Sequence, residues 1–256
     1  MSKEAKIKMF VLCTSQYKQD KALNLDGVEN FIKLFSSSAN RIADIEMFSN
    51  LDSTVAKENL LSYFQNNNFS ATELFVFYFC GHGFLVGDNL NTLLLATSDT
   101  TCSNSTAEVG IKFDWLLSEI KRNLKPQKSS KYIIILDCCH SAIAGNMGAT
   151  WIDNVNLEDY SGAVIITSTE TPTQCAREID VNGIKHAAFT YYFSIALQNL
   201  LDSHSSFTLS DMIKKTTELI QHANPLYRIP LPKIKSVNSM EDMITINACT
   251  PKKTYL

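Results

Sequence analysis

The sequence predicts an α/β fold, a mostly parallel six-stranded sheet with helices on both faces. Three observations carry this. Short apolar runs rich in β-branched and aromatic residues alternate with segments of helical periodicity, the order of a sheet built from right-handed crossovers. The runs are brief and sharply bounded, as buried strands are; Leu74 to Phe79 and Tyr132 to Leu136 are the clearest. Each of those two leads into a motif with chemical content, Gly81-His82-Gly83 and Asp137-Cys138-Cys139-His140-Ser141. Open parallel sheets bind their ligands beyond the carboxyl ends of their strands.

Ile7 to Thr14 reads as the first strand, and the polar stretch Ser15 to Asp20 leads into a helix from Asp26 to Phe35, apolar at Val28, Phe31, Ile32 and Phe35. Ile42 to Phe48 is the second strand and Thr54 to Phe64 the next helix, with Leu60, Leu61 and Phe64 inward. The third strand, Leu74 to Phe79, delivers His82. Beyond Leu93-Leu94-Leu95 the chain turns polar from Thr97 to Ser105, which reads as a mobile loop. Phe113, Leu116, Leu117, Ile120 and Leu124 fall on one helical face, and a turn from Pro126 to Ser130 precedes the fourth strand. Ala163 to Thr167 is the fifth strand, and Ala187 to Leu201 a helix with Phe189, Tyr192, Phe193, Ala196 and Leu200 on one face. Thr208 and Asp211 have capping-box spacing for a helix to Ala223, and Met243 to Ile246 completes the sheet.

A chain of 256 residues, 45% hydrophobic, buries a full core; one domain spanning 1–256 is expected, with halves of about 1–150 and 160–256. The net charge of −3, with acids and lysines scattered, supplies no basic footprint for nucleic acid. Seven cysteines, an odd number without the spacing of a small secreted scaffold, point to reduced thiols. The segment from Met1 leads into an apolar run too short for a signal peptide or a membrane span, so a cytoplasmic protein off the membrane is expected.

If the third and fourth strands are neighbours, His82 and Cys139 meet at one sheet edge. A thiol attacks a carbonyl as thiolate, and an imidazole can take its proton. Gly81 and Gly83 leave the backbone bare beside the imidazole, so a substrate strand can approach and an N–H can face an oxyanion. Cys139 stands where a helix would open, which lowers a thiol pKa and offers its own amide as a second oxyanion donor. Cys80, His82, Cys138 and His140 are four potential zinc ligands, but their spacing matches no zinc knuckle and no metal is expected. Ser168 and Thr169 follow the fifth strand and are candidates for a pocket wall.

The segments Tyr78-Phe79-Cys80-Gly81-His82-Gly83 and Asp137-Cys138-Cys139-His140-Ser141-Ala142 resemble the caspase-like cysteine peptidases, nearest the metacaspase and bacterial caspase-like branch. The resemblance runs through most of the chain and implies a caspase-haemoglobinase-like sheet. It makes Cys139 the nucleophile and His82 the acid/base, with the amides of Gly83 and Cys139 holding the oxyanion. Strand alternation turns Cys138 into the core. Asp137 is then a substrate-binding acid that pairs with arginine or lysine; its competing reading is a helix cap. A second acid is expected from the first loop and helix, but Phe31 stands where relatives often carry aspartate, which leaves Asp26 or Glu29 to substitute. Ala142 replaces the usual glycine, and the Gln-Ala-Cys-x-Gly signature of animal caspases is absent.

The implied partners are a protein or peptide substrate and an activator protein, with cell-death or defence signalling as the setting. No cofactor is required; calcium, common in metacaspases, has only Asp99, Asp153 and Asp159 as candidate ligands. Between Lys131 and Arg177 there is no lysine or arginine, so a basic-specific enzyme cannot cut its own linker and a single-chain peptidase is expected. A non-catalytic caspase-like regulator or scaffold is the alternative.

Overall fold

The computed structural model describes residues 7–67, 69, 73–87, 92–103, 106–124, 131–138, 163–169, 176–236 and 239–247. In chain order, β1 (Ile7–Cys13), a 3-10 turn (Lys21–Leu23), α1 (Asp26–Ala39), β2 (Ala43–Ser49), α2 (Ser53–Asn66) and β3 (Leu74–Gly81) open the fold. Then come β4 (Gly83–Val86), β5 (Thr92–Leu95), β6 (Cys102–Ser103), β7 (Thr106–Ala107), β8 (Ile111–Lys112), α3 (Phe113–Leu124) and β9 (Lys131–Cys138). The second half carries β10 (Ala163–Thr167), β11 (Glu178–Val181), β12 (Ile184–Ala187), α4 (Ala188–Ser203), β13 (Ser206–Thr208), α5 (Leu209–Tyr227), β14 (Lys233–Ser236), α6 (Met240–Met243) and β15 (Thr245–Asn247).

The central sheet has six strands in the order β14-β10-β9-β3-β1-β2, parallel except for β14. Alternation along β3 sends Val76, Tyr78 and Cys80 to one face and Phe75, Phe77 and Phe79 to the other. The first face packs on Val28 and Phe35 of α1, Phe189 and Phe193 of α4, and Met212 and Ile213 of α5. The second packs on Leu60 of α2 and on Phe113, Leu116 and Ile120 of α3. Helices therefore cover both faces, as the periodicity requires. The capping box forms in full, with Thr208 and Asp211 each accepting from the other's backbone N–H.

Three expectations change. The sixth strand is Lys233–Ser236, not Met243 to Ile246; the latter region contributes Thr245–Asn247, which pairs with β13 outside the sheet. Residues 97–100 are not a loose loop: Thr97, Ser98 and Thr100 are buried, and the Asp99 carboxylate accepts from Ser53 N, Ser53 Oγ and Thr97 Oγ1. Polar side chains that satisfy one another read as loop in sequence and fold as a buried turn. A hairpin, β11–β12, also precedes α4. Its turn residues Asn182 and Gly183 have φ of 56° and 81°, the left-handed pair a tight hairpin demands.

Candidate active site

The pairing of β3 with β9 brings the ends of the two motif-bearing strands together. Cys80 lies opposite Asp137 and Gly81 opposite Cys138 in the last rows of the ladder, and in sequence His82 and Cys139 are the residues that follow those strands. Cys139, with His140, Ser141 and Ala142, lies outside the described residues.

His82 is held from several sides. It is the single residue between β3 and β4. Its N–H donates to the Tyr17 hydroxyl at 3.1 Å, and its carbonyl accepts from Ala96 N at 2.9 Å. The Tyr17 and Phe84 rings stand 5.4 and 5.8 Å from the imidazole. The ring nitrogen Nε2 lies 2.9 Å from the carbonyl oxygen of Leu23 in the 3-10 turn. A carbonyl only accepts, so Nε2 carries the proton, and in the neutral ring Nδ1 is the basic nitrogen.

Beside His82 is a cavity of about 80 Å³ whose walls include Cys80, Gly81, Asp137, Arg177 and Glu178. Two helix N-termini open on it. The N-cap residues, Leu25 of α1 and Ala187 of α4, also line the cavity and offer no capping side chain. Acids from elsewhere take that role. Glu178 Oε1 accepts the N–H of Gly27 in the first turn of α1. Asp137 Oδ2 accepts both the N–H of Thr190, at 3.1 Å, and its hydroxyl, at 2.5 Å, in the first turn of α4. Each bond satisfies a donor that the helix cannot satisfy itself. Glycine at 27 is required by this approach: a Cβ there would stand 2.6 Å from the carbonyl carbon of His186 and 2.8 Å from Ala187 N.

Asp137 is 3% exposed. Burial pushes its carboxyl up, while hydrogen bonds from Thr190, then Ser168 and Cys80, oppose the shift. The thiols of Cys13 and Cys80, buried on the same face, are pushed up by burial and then by the Asp137 charge, which leaves them un-ionised and inert. Cys138 is fully buried against the opposite core, as strand alternation demands.

The other residues singled out from sequence are more scattered. Asp26 does not line the cavity; its carboxylate pairs with Lys185 at 2.8 Å on the hairpin. Glu29 accepts from Gln16 Nε2 at 2.6 Å. Ser168 braces the end of β9, its N–H on Leu136 O at 3.0 Å and its hydroxyl on Cys138 O at 3.5 Å. Gly83 opens β4 opposite Leu95. Of the calcium candidates, Asp99 is the α2 cap described above, and Asp153 and Asp159 lie outside the described residues. Asp137 is a helix cap as well as a pocket residue, but for α4 in the second half of the chain rather than for the helix following it in sequence. No helix among the described residues is long and apolar enough to cross a membrane.

Leu23, Glu178 and Thr190 were not legible as site residues. Leu23 contributes only a carbonyl, which every residue has. Glu178 was within reach, because the Asn-Gly turn predicts a hairpin that it begins, though nothing in the sequence brings that hairpin to α1.

A family model described as "Caspase domain" matches residues 8–254. The chain belongs to the caspase family. No curated protein matches the sequence of this caspase-domain protein. Among solved structures it is similar to the Drosophila initiator caspase Dronc, with a TM-score of 0.65 at 10% identity over 95% of this chain and 86% of that one. It is also similar to caspase-1 from Spodoptera frugiperda, with a TM-score of 0.64 at 11% identity over 92% and 90% of the two chains. The fold of this caspase-domain protein is thus the caspase fold, and its family is one of cysteine peptidases that act on protein substrates.

Proposed function

We propose that this caspase-domain protein is a cysteine endopeptidase of the metacaspase and bacterial caspase-like branch, cleaving partner proteins after arginine or lysine through a Cys139–His82 dyad. The observation that carries the reading is the bond from His82 Nε2 to Leu23 O, which orients the ring and makes Nδ1 the basic nitrogen. The Cys139 thiol gives its proton to Nδ1 and its sulfur attacks the scissile carbonyl carbon. The amides of Gly83 and Cys139 hold the resulting oxyanion. As the tetrahedral adduct collapses, His82 returns the proton to the leaving amine and an acyl-enzyme remains. A water, deprotonated by His82, then releases the acid and regenerates the thiol. The carbonyl of Leu23 stabilises the imidazolium throughout.

The preference for a basic side chain is supported by Asp137 and Glu178, two acids on the walls of one cavity beside His82. Glu178 supplies the second acid, since Asp26 and Glu29 of the first helix do not line the cavity. Cell-death or defence signalling is the proposed setting, on family resemblance. The test is hydrolysis of fluorogenic peptides ending in arginine, lysine or aspartate by the wild type, Cys139→Ala and His82→Ala. Arginine and lysine turnover that disappears in both variants is expected. Turnover confined to aspartate peptides overturns the specificity, and turnover surviving Cys139→Ala overturns the dyad.

A further inference from the structure

Asp137 is the most deeply placed acid of the cavity, and an acid so buried recognises a basic side chain only if it remains ionised. Among the described residues, the charged and titratable groups around it are Tyr78 and Cys80 on β3, Cys13 on β1, Cys138 on its own strand, and His82, Arg177 and Glu178 about the cavity. Among the described residues the strongest donors to its Oδ2 oxygen come from Thr190, twice, ahead of Ser168 and of the weak Cys80 thiol at 3.9 Å. Thr190 is 1% exposed, and its hydroxyl has one proton. A carboxylate only accepts, so that proton goes to Asp137, and the Tyr78 hydroxyl 2.7 Å away must donate to Thr190. Tyr78 is itself fully buried. The result is a one-way chain of donors, Tyr78 to Thr190 to Asp137, in which no group can turn round while Asp137 is charged.

We propose that Thr190 is a positioning residue for substrate recognition, holding Asp137 in place and in its anionic form as the wall of the pocket that receives an arginine or lysine side chain. The role of Asp137 as recognition acid rests on the function proposed above; the anchoring by Thr190 does not. Burial already disfavours the charge on Asp137, and hydrogen bonds to the charged form are what oppose that shift. Valine at 190 keeps the shape and the backbone N–H but deletes the hydroxyl. Serine keeps the hydroxyl.

The experiment is a carbon-13 NMR titration of the aspartate carboxyls in the full chain, with Asp137 assigned by Asp137→Asn, read beside peptide hydrolysis. In Thr190→Val the Asp137 midpoint should rise by about one pH unit, the loss of one charge-assisted bond, and in Thr190→Ser it should stay near wild type. Tyr78→Phe, which removes the donor behind Thr190 and leaves both Thr190 bonds to Asp137 in place, should raise it by less. Between the two midpoints Thr190→Val should lose about threefold in kcat/KM for an arginine peptide, a loss that grows toward about tenfold at pH below them, with no loss for the citrulline isostere. An unmoved midpoint in Thr190→Val overturns the proposal, as does an equal rise in valine and serine variants. If the valine variant does not fold, an unmoved midpoint in Tyr78→Phe overturns it. A wild type that cleaves no arginine peptide refutes the proposed function, while the titration still decides the role of Thr190.

Discussion

Replacing Asp137 with alanine removes the acceptor on which two halves of the chain converge. Its Oδ2 receives the Thr190 N–H and hydroxyl from α4, at 3.1 and 2.5 Å, and the Cys80 thiol at 3.9 Å. The thiol contact is weak and contributes little. The Thr190 hydroxyl retains Tyr78 as a partner. What has no substitute is the Thr190 N–H, a buried first-turn donor whose own N-cap, Ala187, cannot accept. An orphaned buried donor costs ~2 kcal/mol, and the second lost bond adds ~1 kcal/mol. Release of a carboxylate that burial disfavours offsets part of this, leaving an expected loss of about 2 kcal/mol. Asparagine keeps an acceptor oxygen and should cost under ~1 kcal/mol.

Urea unfolding measures both variants, and at an m-value of ~2 kcal/mol/M the alanine midpoint should fall by ~1 M. The pH dependence has a definite sign. Burial raises the folded Asp137 above its unfolded value, so its contribution to stability is complete below the ordinary carboxylate range and is lost as pH rises through the folded value. Asparagine cannot ionise and escapes that loss, so the gap between Asp137→Asn and wild type narrows with rising pH. An alanine variant as stable as wild type, or one no worse than asparagine, refutes the trans-capping argument.

Three further outcomes are expected. Cys138→Ala should retain peptide turnover while losing ~1 kcal/mol of stability, since the side chain is fully buried, whereas Cys139→Ala should abolish turnover; kinetics and urea melts of the pair assign the nucleophile. Gly27→Ala should cost ~2 kcal/mol and weaken arginine turnover, because the added Cβ meets the backbone of His186 and Ala187, which cannot rotate away; a neutral result in unfolding and kinetics contradicts the close approach. Intact-mass measurement after prolonged incubation should show one chain, because no basic residue lies between Lys131 and Arg177. A product cut between His140 and Ala176, absent in Cys139→Ala, rules out the single-chain reading.

The parallel sheet was legible because its inner strands β1, β3, β9 and β10 are buried on both sides. A run such as Leu74 to Phe79 has few other ways to fold, and the register that sets Gly81 beside Cys138 follows from two such runs pairing in parallel. Elements whose identity depends on partners were not legible. Lys233–Ser236 carries two lysines and no apolar run, yet becomes a half-buried sheet edge by pairing with β10, a position where charged residues are tolerated. Thr97 to Thr100 reads as polar loop until Asp99 is seen to cap α2. The same distinction runs through the site. His82 announces itself by chemistry and by flanking glycines. Leu23 acts through a carbonyl, and Thr190 through a carboxylate 53 positions away, and neither leaves a local signature.

The pocket preference then turns on which charges cover two helix ends. The N-termini of α1 and α4 both open on the cavity with apolar N-caps, and bare helix N-termini attract anions. Left uncovered, they would favour an acidic substrate side chain. Glu178 and Asp137 cover them, and when both are ionised each sets a full negative charge against a partial positive one, so the balance at the walls becomes acidic. Arg177, also on the wall, offsets part of that charge. Glu178→Gln keeps an acceptor for Gly27 but cancels the charge, so it should lower turnover of arginine and lysine peptides about tenfold and leave citrulline unaffected. Glu178→Ala also bares the α1 N-terminus, and it should go further by raising the relative turnover of aspartate peptides. Equal effects of the two variants on the arginine-to-aspartate ratio would show that the helix end contributes nothing to selectivity.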